Sequence, residues 1–88
     1  MTEFARTLPQ VQLTLLRFEQ VFSPSGQTSE GRIVLQALLL QDGQVKGQLR
    51  IDEAAVVPTQ DAAGGIQALR VATDAAADRL VQWLAKNL

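Results

Sequence analysis

The carboxylates Asp52 and Glu53 form the one adjacent acidic pair in the 88-residue sequence. Two carboxylates can divide acid and base roles, or hold a cation, when both face one site. On a strand, neighbours point to opposite faces, so this pair reads as a solvated strand end. Asp74 and Asp78 stand one helical turn apart. They could hold a divalent ion weakly, but with no further ligand nearby a solvated helix face is the simpler reading. Ser23, Ser25 and Ser29 have no His to activate them. The Ser23-Pro24-Ser25-Gly26 segment has the Gly of a phosphate loop but neither the Lys-Ser/Thr nor a following helix, so it reads as a turn. Lys46 falls on a polar strand face and reads as solvated. No catalytic residue, metal ligand or cofactor site emerges from these residues.

Whole-chain composition points the same way. There is no Cys, no His and no Tyr, which removes disulfides, thiolate zinc sites, thiol nucleophiles and most acid–base constellations. Eight Lys and Arg against nine Asp and Glu leave a formal charge of −1, without the basic footprint of a nucleic-acid binder. Hydrophobic residues are 47% and charged residues 19%, a globular balance in a chain of one small domain. The apolar run Ala37–Leu40 is far short of the roughly 20 residues a bilayer needs, so no membrane insertion is expected. Met1 to Arg6 is followed by no apolar stretch of the export-signal kind.

The elements that would carry these side chains are three strands and a helix. The first strand is expected at about 10–22. Val11, Leu13 and Leu15 alternate with Gln12 and Thr14, then the phase slips so that Leu16 and Phe18 are apolar. A β-bulge near Leu15-Leu16 would absorb the slip; a strand buried on both faces at its middle is the alternative. The second strand, about 31–41, is apolar without clean alternation, the pattern of a strand covered on both sides. Asp42-Gly43 is a strong hairpin signal. The third strand, about 44–54, alternates Val45, Leu49 and Ile51 with Lys46, Gln48, Arg50 and Asp52, and Pro58 ends the strand region.

Thr59 or Asp61 can cap a helix over about 61–87. Ile66, Leu69, Thr73, Ala76, Leu80, Trp83 and Leu84 form its apolar stripe. Arg70, Asp74, Asp78, Gln82 and Lys86 line another face, with Arg70 and Asp74 spaced for an ion pair. Gly64-Gly65 either permits close approach of the helix to the sheet or a partner, or marks a late helix start.

The fold class expected is therefore α+β: a three-stranded antiparallel meander followed by one long C-terminal amphipathic helix. A two-residue loop at Asp42-Gly43 would set Leu40 opposite Val45, Leu38 opposite Gly47 and Val34 opposite Ile51, as one core face. Ile33, Leu35 and Leu39 would then project from the other face. A bulge would exchange the two sets, and either choice leaves large apolar side chains uncovered. The expected interface residues are Ile33, Leu35 and Leu39, with Phe18 and Phe22 near the end of the first strand and Trp83 on the helix. Trp83 can equally be a core anchor, and the two Phe residues can be core or loop packing. Leaving three such side chains wet forgoes roughly 5–9 kcal/mol, so homo-oligomerisation is expected.

Several stretches taken in order resemble one family: Leu15-Leu16-Arg17-Phe18-Glu19, the long apolar second strand with its hairpin, Asp61-Ala62-Ala63-Gly64-Gly65 with Ala68-Leu69, and Leu80-Val81-Gln82-Trp83-Leu84. From about Gln10 onward the chain resembles the C-terminal half of the auxiliary lipoprotein components of ABC-type transport systems, the PqiC-like family. The resemblance implies a non-enzymatic accessory, working by protein–protein association beside ABC permease and MCE-type components. The implied setting is the periplasmic side of the Gram-negative envelope, and the implied process is lipid or solute transport. It also implies that these 88 residues correspond to half of a larger family domain. The family's signal peptide and acylated Cys have no counterpart among them, so lipid anchoring does not carry over. An unrelated small α+β dimerisation module, or a small lipid or ligand carrier, are the alternative functions.

Overall fold

The computed structural model describes residues 8–88. The segment Met1–Arg6, read above for an export signal, lies outside them. Strands β1 (Gln10–Phe22), β2 (Ser29–Gln41) and β3 (Gln44–Val56) form one antiparallel sheet in the order β1-β2-β3, followed by helix α1 (Ala62–Asn87). The expected α+β meander-plus-helix architecture is the one observed. The 13-residue strands reach about 43 Å and the 26-residue helix about 39 Å, so the helix runs nearly the whole sheet. The molecule is accordingly long and narrow, 55 × 23 × 19 Å.

Asp42 (φ 54°) and Gly43 (φ 76°) both take the left-handed conformation, as a two-residue hairpin turn requires. Gln41 pairs with Gln44 and Leu40 with Val45, as expected. The register then shifts: Leu39 pairs with Gly47, which leaves Lys46 as the extra residue of a bulge. Beyond it Leu35 opposes Ile51 and Ala37 opposes Leu49. The bulge exchanges the two faces. Gly31, Ile33, Leu35, Ala37 and Leu39 lie under the helix, and Val34, Leu38 and Leu40 lie on the opposite face, where Val34 is buried as expected, at 1% exposure, and Leu38 and Leu40 are half-buried. The physical reason is in the polar residues. Arg32 and Gln36 share the parity of Val34, so burying that set would bury a guanidinium and an amide.

Ile33, Ile51, Ala72 and Ala76 form the centre of the core, with Leu35, Leu49, Ala55 and Leu80 packed around it. The helix seats on a narrow ridge of Ala68, Ala72 and Ala76, all buried, rather than on the larger stripe expected. Ile66, placed on that stripe, is 67% exposed. Small residues on both sides explain the choice. A Cβ on Gly31 would stand 2.7 Å from the Leu69 nitrogen and 2.9 Å from the Ala68 carbonyl carbon, so helix backbone lies directly on strand backbone there.

Asp61 caps the helix. Its carboxylate accepts from the Gly64 N–H at 2.8 Å and from the Thr59 hydroxyl at 2.7 Å. These bonds, the backbone one first, hold the carboxyl below the usual carboxylate range. Gly64 is buried within the helix start, where a Cβ would collide with the Thr59 carbonyl. Close packing, not a late start, accounts for this residue. Behind the cap, the buried Ser29 hydroxyl accepts from Gln20 at 3.0 Å and donates to Gln60 at 3.3 Å. Lys46, Asp52 and Arg50 are exposed, and no helix among the described residues is long and apolar enough to cross a membrane.

Candidate functional site: the uncovered edge strand

Several of the residues with chemical potential are employed in structure. Asp52 and Glu53 do point to opposite faces. Asp52 accepts from Arg32 at 2.6 Å on the open side, and Glu53 accepts from Arg79 of the helix at 3.2 Å. Arg32 also bonds Glu30 at 2.7 Å, and this bond and the Asp52 charge raise its pKa further. Asp74 and Asp78 gather no third ligand, and no cluster of three metal-ligating side chains occurs among the described residues. Arg70 and Asp74 form no ion pair, although their spacing allows one. Ser23 and Ser25 brace the loop, their hydroxyls 3.1 Å apart and accepting from the Thr28 and Gln27 backbone N–H groups.

Packing leaves one feature unresolved. Strands stand about 4.8 Å apart, and a helix is about 10 Å across. One helix therefore covers two strands. α1 lies over β2 and β3: Ala68 meets Gly31, and the Trp83 ring lies 3.2 Å from where a Gly47 Cβ would stand. The helix-side face of β1 is left bare from Val11 to Phe18. Register identifies its residues, since Val11 pairs with Leu39, Leu13 with Ala37 and Leu15 with Leu35, all of which lie under the helix.

The expected bulge in β1 is present, between Leu15 and Arg17. It moves the helix-side set from odd to even numbers, so Phe18 opposite Ile33 and Gln20 opposite Gly31 continue the same face. Gln20 is roofed by the helix start, its carbonyl oxygen 2.7 Å from a would-be Gly65 Cβ. Val11, Leu13, Leu15 and Phe18 are exposed at 38, 53, 57 and 51%. Phe22, at the end of the same face, is exposed too. Between Phe18 and the helix runs an open groove of about 320 Å³ lined by Phe18, Ile66, Leu69, Arg70, Thr73 and Asp74.

The interface residues expected from sequence divide accordingly. Ile33 and Leu39 are corrected: both are buried under the helix, at 5 and 4% exposure, and Leu35 packs half-buried beside Ile33. They are core, because the Lys46 bulge turned their face inward. Phe18 and Phe22 are on the exposed strip. Trp83 is half-buried against Gly47, nearer to the core-anchor alternative. Val11, Leu13 and Leu15 belong to the strip and were missed as surface residues. Their signal was geometric: three strands are wider than one helix. No family model matches the chain, and no curated protein or solved structure matches it either.

Proposed function

We propose that this chain is a non-enzymatic association module that works by burying the helix-side strip of β1 against another polypeptide. The observation that carries this reading is the continuous row Val11, Leu13, Leu15 and Phe18, each about 40–60% exposed on a strand face whose neighbours are core. Completing the burial of each recovers on the order of 1 kcal/mol, half of a full side-chain burial, so the row offers roughly 4 kcal/mol per chain. That is a substantial fraction of the stability of a small domain. The chemistry-bearing side chains support the same reading, since Asp52, Glu53, Arg32 and Arg79 hold the sheet and helix together.

The resemblance to ABC-system auxiliary lipoproteins supplies the setting: an accessory of an ABC/MCE-type transport assembly on the periplasmic side of the envelope, with permease or MCE-type components as partners. The test is affinity purification of the tagged chain from envelope extracts of cells that produce it. The wild type is expected to retain an ABC permease or MCE-type component, and Phe18→Asp to lose it. Retention unchanged by Phe18→Asp and Leu13→Asp would show that the strip is not the binding surface. Recovery of no such component would remove the transport setting.

A further inference from the structure

The outer edge of β1 adds a second observation, independent of its apolar face. We propose that two copies of this chain join edge to edge through the Gln10–Leu16 half of β1, antiparallel about a two-fold axis at Leu13, to make a continuous six-stranded sheet. The proposal rests on the association reading and names a second copy as the partner at the strip's edge; the joint sets the two strips side by side and leaves their faces open between the helices.

The two sheet edges are built differently. Edge strands escape unwanted pairing through charges, prolines and bulges. β3 carries Lys46, Arg50, Asp52 and Glu53, with a bulge at Lys46. The Gln10–Leu16 half of β1 has no charged residue, no Pro and no register break before Leu16. Among the described residues it offers six regular, neutral residues of unpaired edge. The charges of β1, Arg17 and Glu19, pair with each other and lie past the bulge.

Parity selects the register. In a pair related by a two-fold axis normal to the sheet, opposed residues share a face, so odd must meet odd. Centred on Leu13, Leu13 meets its own copy, Val11 meets Leu15 and Gln12 meets Thr14. Val11, Leu13 and Leu15 then meet apolar residues and Gln12 meets Thr14; the end pair, Gln10 with Leu16 beside the bulge, is the one mixed pair. Centring on Gln12 sets Leu15 against Pro9. Centring on Thr14 sets Val11 against Arg17, across the bulge. The match at Leu13 is a property of this strand with itself, which is why a second copy is the partner that fits.

The helices permit the joint. Each lies about two strand spacings from the axis, so the two stand roughly 19 Å apart on the same side. With helices about 10 Å across, they do not collide.

The chain contains no Cys, so single cysteines report cleanly. Gln12 and Thr14 lie on the open face, opposite to the apolar strip. Directly opposed Cβ atoms stand about 4.5–5.5 Å apart, and diagonal ones farther. A mixture of Gln12→Cys and Thr14→Cys chains, mildly oxidised or treated with a short thiol cross-linker at micromolar concentration, is expected to give a covalent dimer. The yield should be several-fold above that of either variant alone. A dimer by sedimentation without this preferential cross-link would overturn edge pairing while leaving association through the strip intact. A monomer without cross-link would overturn edge pairing as well, and a heterologous partner would then be the occupant of the strip.

Discussion

Gly31 sets the distance between helix and sheet. Any side chain there meets the backbone of Ala68 and Leu69 rather than a flexible tip, so the neighbour cannot yield without moving the helix. Gly31→Ala is expected to destabilise by about 3 kcal/mol, measured by urea unfolding. A change below about 0.5 kcal/mol would mean that the helix does not seat there. Asp61 acts at the other end of the same contact. Its carboxyl is lowered in the folded state by the Gly64 N–H and the Thr59 hydroxyl. A lowered pKa contributes stability above the unfolded value, near 3.9, that is lost as pH falls through the folded value. Thermal melts should therefore find Asp61→Ala less stable than wild type at pH 7, with the difference shrinking below about pH 4. Asp61→Asn keeps an acceptor for the cap and should retain most of the melting temperature at pH 7. A constant gap between wild type and Asp61→Ala from pH 7 to pH 2.5 would contradict this account of the cap.

At the scale of elements, the helix is held by a ridge of alanines and the sheet by two bulges. Seating on Ala68, Ala72 and Ala76 predicts an inverted tolerance. Ala72→Leu should cost roughly 1–3 kcal/mol by overpacking a site with no room, whereas Ile66→Ala, on a 67% exposed side chain, should stay within about 0.5 kcal/mol. Denaturant melts of the two variants decide between this seating and one on the Ile66 stripe. Strand and helix ranges were legible in the sequence because Asp42-Gly43, Pro58 and the change of period are local signals. The β1 bulge was legible too, as a phase slip at Leu15-Leu16. The Lys46 bulge was not, because Val45, Leu49 and Ile51 alternate without a break. Its signal lay across the sheet, in the polar Arg32 and Gln36 that share a face with Val34. The alanine ridge was hidden for a related reason. Hydrophobic periodicity weights large residues, while close approach to Gly31 selects small ones.

The whole molecule is a sheet three strands wide under a helix two strands wide, and its proposed function rests on that difference. The strip it exposes was expected on β2, at Ile33, Leu35 and Leu39; the fold buries those and bares β1 instead. An uncovered apolar strip was thus legible from the count of elements, but its location depended on a single extra residue in β3. Sedimentation velocity of the purified chain at micromolar concentration, beside Leu13→Asp, tests this most directly. Leu13 is about half exposed and its substitution leaves the core intact, so both proteins should show the same helical circular dichroism. The wild type is expected to sediment as a dimer of about 19 kDa, twice the 9.5 kDa chain, and Leu13→Asp as a 9.5 kDa monomer. A folded wild type at 9.5 kDa, indistinguishable from Leu13→Asp across the concentration range, would contradict self-association through β1.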